Sequence, residues 1–234
     1  ALAMGATAEN LHDRFPKLTK ERADRYGMRS QQKVAAAYAA GKIQPDLIPV
    51  AIKSEEGWGL ATQDEGMRPE TTMEGLAALK TPFRAHGRVT AGNSSPLTDG
   101  AAVSLLASEA AAKELNLGVK MRMVSFAFAG VEPEVMGLGP VPSTEKALRK
   151  AGLSITDIGL FELNEAFSVQ VLSFLDHFGI DDEDPRVNLW GGAIAIGHPL
   201  ASSGVRLMIQ LARQFEEHPE VQYGLTAMCV GLGQ

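Results

Sequence analysis

Ile158-Gly159-Leu160-Phe161-Glu162-Leu163-Asn164-Glu165-Ala166-Phe167 is the stretch that decides the fold class. Ile158 to Leu163 is short, largely apolar and bounded by polar residues, which predicts a buried strand. Ala166 to Phe178 then takes up helical spacing, so strand gives way to helix across a brief polar break. The same rhythm extends outward on both sides. Ser143 to Ala151 reads as a helix before it; Asn188 to Ile196 as a strand or turn, Ser203 to Glu217 as a helix and Gly224 to Val230 as a strand after it. Strands alternating with helices predict an α/β protein, a layered mixed sheet covered by helices.

Further upstream, Thr7 to Phe15 and Thr19 to Ala40 read as helices separated by Pro16, the second opening on a Thr cap and closing at Gly41. Leu47 to Ile52 carries a strand signal, Lys53 to Pro69 reads as a loop, and Thr71 to Leu79 as a short amphipathic helix. Asp99 is placed to cap a helix of small residues, Ala101 to Ala112, with a turn over Asn116 to Lys120. Met121 to Phe128 alternates in aromatic and β-branched residues, as a strand does.

Composition narrows the functional classes. With 234 residues, 45% hydrophobic and 21% charged, the chain buries a substantial core and is not a disordered segment. The single cysteine, Cys229, excludes an intrachain disulfide scaffold. A net charge of -6 argues against nucleic acid or an anionic membrane as principal partner. No run approaches the ~18 apolar residues of a membrane span. The acidic run Asp181 to Asp184 reads as a solvated loop rather than a metal cluster, and the histidines show no zinc-ligand spacing beside Cys229.

Three polar or glycine-rich breaks fall at the carboxyl ends of predicted strands, where α/β folds place ligands. They are Asn164-Glu165-Ala166-Phe167, Gly191 to Pro199, and Cys229-Val230-Gly231-Leu232-Gly233. Each has a plain structural reading: Asn164 as a helix cap, His198 as a turn residue, Cys229 as an inert buried thiol. Taken together they supply an amide donor, an imidazole base and a thiol at one sheet edge. No G-x-G-x-x-G turn joins a strand to a helix, which disfavours a dinucleotide-binding dehydrogenase.

These same strings, N-E-A-F at 164–167, G-G-A-I-A-I-G-H-P at 191–199 and C-V-G-L-G at 229–233, resemble the C-terminal signatures of the thiolase family. Upstream, D-E-G-M-R-P at 64–69, V-T-A-G-N-S-S at 89–95, D-G-A-A at 99–102 and G-L-G-P-V-P at 137–142 resemble that family's other blocks, in family order. The wording around Phe161 to Phe167 and the C-V-G-L-G-Q ending is most similar to 3-ketoacyl-CoA thiolases of fatty acid β-oxidation.

The resemblance implies thiolysis of a 3-ketoacyl-CoA by CoA to acetyl-CoA and a shortened acyl-CoA, with coenzyme A as substrate and no separate cofactor or metal. It gives His198 the role of activating histidine and Cys229 that of the second, acid/base cysteine. Asn164 would hold a water at the thioester oxygen, and the Gly231 N–H would serve a second oxyanion hole. Arg68 would approach the nucleotide end of CoA, and Ala91 and Ser95 the pantetheine arm. Biosynthetic acetyl-CoA C-acetyltransferases forming acetoacetyl-CoA share these blocks, and a non-catalytic CoA or lipid carrier on the same fold is a further alternative.

The family's acylated cysteine lies in an N-terminal domain, and no second cysteine is present here. The resemblance therefore implies a fragment: a loop domain over 1–97, the closing helix of an otherwise missing N-terminal domain over 98–120, and a C-terminal domain over 121–234 lacking its last strand. Such a fragment is expected to be inactive alone. The full-length parent is expected to be a homodimer or homotetramer, with a hydratase/dehydrogenase subunit of an oxidation complex as a further partner. Its expected compartment is the cytoplasm.

Overall fold

At the centre of the molecule two strands, β3 (Leu160–Leu163) and β4 (Gly224–Ala227), run parallel, with Leu160 opposite Gly224 and Leu163 opposite Ala227. The protein is seen here in a computed structural model that describes residues 2–234. Every residue of β3 is buried, and its other edge is flanked by Arg186 to Asn188: Phe161 donates its N–H to the Arg186 carbonyl and accepts from the Asn188 N–H. Parallel neighbours need a long crossover. Here it contains α6 (Ser168–Phe178), the single turn α7 (Ala193–Ile196) and α8 (Ser203–Glu217), the last packing on both strands.

Around this pair sit α1 (Met4–Arg14), α2 (Lys20–Ala39) and α5 (Pro140–Ala151). The Thr19 hydroxyl accepts from the Arg22 N–H and starts α2; Gly152 and Gly179, both left-handed, end α5 and α6. The main core joins Ala8, Leu11 and Leu18 to Phe161, Leu163, Leu172 and Phe174. Cys229 belongs to the same cluster. Among the described residues no helix is long and apolar enough to cross a membrane. The acidic run is taken up by arginines: Arg22 pairs with Asp176 and Asp182, Arg29 with Glu183 and Arg186 with Asp184.

Several predicted elements differ. The strand signal over Leu47 to Ile52 materialises as β1 (Val50–Ser54), and the predicted loop after it contains a second strand, β2 (Gly57–Ala61), paired antiparallel with β1. Gly57, at φ 118, lets the hairpin turn. The helix expected after Asp99 is absent over residues 101–107; only α4 (Glu109–Glu114) forms, capped by Ser108 rather than Asp99. Met121 to Phe128 forms no strand.

Both departures have one physical cause. Val103, Leu105 and Leu106 on the first segment, and Phe126 and Phe128 on the second, are well over half exposed. Short helices and single strands draw their stability from a packed face or a main-chain neighbour. No strand pairs with 121–128, which is tied to α5 through side chains alone: Lys146 and Lys150 donate to the Phe128 and Phe126 carbonyls at 3.1 and 3.0 Å, and Ser125 to the Ala147 carbonyl at 2.8 Å. The short helix predicted over Thr71 to Leu79 forms as α3 (Met73–Ala77), capped by Thr72. Strand β4 stops at Ala227, so Cys229 follows the strand instead of lying in it.

Candidate active site

The carboxyl ends of β3 and β4 place two of the three polar breaks side by side. Asn164, the first residue beyond β3, donates its main-chain N–H to the Ala227 carbonyl at 2.9 Å, two residues before Cys229. It is completely buried. Its side chain caps no helix, since the N-cap of α6 is Phe167; the amide Nδ2 instead lies 3.2 Å from Nε2 of His198. The capping reading of Asn164 is thereby overturned. Its Oδ1 is buried with no protein partner.

His198 is held from both sides, because its Nδ1 lies 2.6 Å from the hydroxyl of Ser203, the first residue of α8. Burial, and then the nearby Arg206 guanidinium, hold the imidazole below its ordinary pKa, so it is neutral above mildly acidic pH. Cys229 is 5% exposed, and burial pushes its thiol up to about 12. Gly231 follows in a tight turn in which Val230 and Gln234 exchange both main-chain hydrogen bonds, at 2.8 and 3.1 Å.

The remaining break is positioned by a carboxylate to which sequence reasoning gave no part. Glu165 is buried and accepts from Tyr26 Oη at 3.0 Å, Ser30 Oγ at 2.6 Å, Asn188 Nδ2 at 2.8 Å and the Ile194 N–H at 3.2 Å. It thus ties α2 to the single turn of α7 that leads into His198. Gln31 makes a second tie, accepting from the Arg68 N–H at 2.7 Å and donating to the Ile194 carbonyl at 3.3 Å. The available signal was the polar spacing of Tyr26, Ser30 and Gln31 on one face of an otherwise core-facing helix.

The other expected contacts lie nearby along the backbone. Ser95 donates its N–H to the Ala166 carbonyl at 3.0 Å, and Ser94 bridges Phe167, so the 89–95 block runs against the 164–167 block. Asn93 anchors it, accepting from the Thr90 N–H and donating to Asp24 Oδ1 at 2.8 Å each. Ala91 and the Arg68 side chain are exposed and Ser95 is half-buried. A cavity of about 790 Å³ lies elsewhere, lined by Phe15, Leu138, Val141 and His177 among others, and none of Asn164, His198, Cys229 or Gly231 lines it.

Comparison with known proteins identifies the family. The family model described as thiolase, C-terminal domain, matches residues 117–234, and that described as thiolase, N-terminal domain, matches residues 1–110. The chain is 48% identical to the 3-ketoacyl-CoA thiolase of Photobacterium profundum, over 99% of its own length and 60% of that protein's. It is 46% identical to the 3-oxoadipyl-CoA/3-oxo-5,6-dehydrosuberyl-CoA thiolase of Escherichia coli, over 99% of this chain and 58% of that one. Among solved structures, the Bacillus anthracis acetyl-CoA acetyltransferase superposes with a TM-score of 0.93 at 37% identity, covering 99% of this chain and 58% of that one. The chain thus spans under two thirds of the length of these relatives. With a family model matching half its length, the strand-end blocks in family order and an α/β fold shared with solved members, the chain belongs to the thiolase family.

Proposed function

We propose that the protein is an acyltransferase that cleaves a 3-ketoacyl-CoA with CoA, giving acetyl-CoA and an acyl-CoA two carbons shorter, as in fatty acid β-oxidation. The observation that carries this reading is the contact of Asn164 with His198 at the end of a parallel strand pair that leads into Cys229. His198 activates the nucleophilic thiol, and Cys229 exchanges the proton at the acetyl carbon and at the incoming CoA. Asn164 holds a water that, with His198, stabilises the thioester oxygen, and the Gly231 N–H serves the second oxyanion. Loss of one such donor costs about 3 kcal/mol in the barrier. Arg68 meets the nucleotide end of CoA, and Ala91 and Ser95 the pantetheine arm.

Because Cys229 is the only cysteine and fills the acid/base role, these 234 residues alone bind CoA without turning it over. Calorimetric titration with CoA tests the first half: saturable binding, weakened at least tenfold by Arg68→Ala with Ser95→Ala, is expected, and no binding overturns it. For the second half, thiolytic loss of acetoacetyl-CoA absorbance by this chain, abolished by Cys229→Ala, would overturn the reading. The likeness to an acetyl-CoA acetyltransferase favours a second reading, condensation to acetoacetyl-CoA. Competition between acetoacetyl-CoA and a long-chain 3-ketoacyl-CoA in the full-length enzyme separates the two.

A further inference from the structure

The ring of His198 can be useful as a base at Nε2 only if its proton resides on Nδ1, and the groups around the ring decide where that proton sits. Nδ1 faces one atom, the Ser203 hydroxyl at 2.6 Å. That hydroxyl is fully buried and has a second neighbour, the Pro199 carbonyl, at 3.0 Å. A hydroxyl carries one proton, and a carbonyl oxygen can only accept. With the Ser203 proton on Pro199, the hydroxyl lone pairs turn to Nδ1 and accept from it. On the far side Asn164 presents its Nδ2 donor to Nε2 at 3.2 Å, which requires a lone pair there.

We infer that Ser203 is a positioning residue that fixes His198 as its Nδ1–H tautomer, through the directed chain Asn164 Nδ2–H to Nε2, Nδ1–H to Ser203 Oγ, and Ser203 O–H to the Pro199 carbonyl. The opposite wiring would point the Ser203 proton at Nδ1 and require Asn164 to turn its amide over. It would then leave both N–H donors of a completely buried side chain without acceptors, where the present wiring leaves one N–H and the carbonyl oxygen unpaired, and an orphaned buried N–H is the rarer and costlier of the two. The Pro199 carbonyl still receives the Ser203 main-chain N–H at 3.0 Å, so the two residues stay together in either case and only the hydroxyl proton distinguishes them.

The inference deepens the proposed function, since it concerns the same histidine, but its test does not depend on turnover. Two-bond proton–nitrogen correlation spectra of the full 234-residue chain, labelled with ¹⁵N-histidine, report the tautomer of each ring at pH 8; His198→Gln assigns the signal. The wild-type ring is expected to show Nδ1 at the protonated shift and Nε2 at the unprotonated one. In Ser203→Ala the ratio of Nδ1–H to Nε2–H forms should fall by about tenfold, the effect of one lost hydrogen bond, and Ser203→Thr should restore it. A wild-type ring protonated on Nε2, or a ratio that Ser203→Ala leaves unchanged, overturns the inference. Should the alanine variant not fold, the wild-type spectrum and the threonine variant decide it, a threonine ring on Nε2–H counting against. Failure here with intact CoA binding removes the role of Ser203 alone, whereas loss of CoA binding strikes the functional reading itself.

Discussion

Gly27, midway along α2, faces the carbonyl oxygen of Gly92 so closely that a Cβ on Gly27 would fall 2.3 Å from it. In an isolated helix Gly27→Ala gains about 1 kcal/mol from propensity. Here the obstructing atom is backbone, which cannot swing aside as a side chain would, so the clash outweighs that gain. Urea denaturation should show Gly27→Ala destabilised by about 1–3 kcal/mol. The 89–95 block rests on this contact, so CoA affinity should fall in the same variant.

Glu162 lies on β3 with no exposed surface, its Oε1 accepting from Gln214 at 2.7 Å and its Oε2 without a partner. Burial lifts its pKa from 4.5 to about 8, against the opposing pull of Arg206 and the Gln214 hydrogen bond. The folded protein therefore holds a proton that the unfolded chain releases. This contribution to stability is complete below about pH 4.5 and is lost as pH rises through about 8. Glu162→Gln keeps the acceptor for Gln214 and has nothing to release. Thermal melts should show a gain of roughly 5 °C at pH 8.5 over wild type and little difference at pH 5. Equal melting temperatures at the higher pH would contradict the assignment.

Cys229 combines burial with a thiol at about 12, so at pH 8 the thiolate is about one part in ten thousand. Iodoacetamide should modify the folded chain at least a hundredfold more slowly than the chain in guanidinium, as read by intact mass. Labelling at the rate of a free cysteine would show that the strand end opens readily.

Leu97, Val103, Leu105, Leu106, Phe126 and Phe128 leave a large apolar surface in water. Surfaces of this kind promote association. Light scattering after size exclusion should show mass rising with concentration, and Phe126→Ser with Phe128→Ser should shift the protein toward monomer without lowering its helical content. A strictly monomeric wild type would refute this.

The same two segments show where the sequence could be read and where it could not. Thr19 and Gly41 mark the ends of α2 by local chemistry, and that helix forms within a residue of its reading, whereas α5 starts three residues earlier than read, at Pro140, and α6 two residues later, at Ser168. The alternation over Met121 to Phe128 states which side chains favour burial, but a strand also needs a neighbour to bond with, and that depends on the rest of the fold. At the candidate site, Asn164 and His198 were legible because they interrupt apolar runs. Glu165, Gln31 and Ser203 were not, because a carboxylate in a break between strand and helix, or an amide or hydroxyl on a helix, reads as a solvated or capping group until its partners are known. The β2 strand was hidden by Gly57 and Gly59, which weaken a strand signal while permitting the hairpin.

The parallel pairing of Leu163 with Ala227 joins positions far apart in the chain, with three helices strung between them. Closing so long a loop costs entropy before any hydrogen bond repays it, and contacts of this kind form late in folding. Helices α1 and α2 can take shape from local contacts while the ends of β3 and β4 are still apart. Refolding followed through the environment of His198 should accordingly lag behind refolding followed through helix content: the chemistry of this chain is assembled only after most of its architecture is in place.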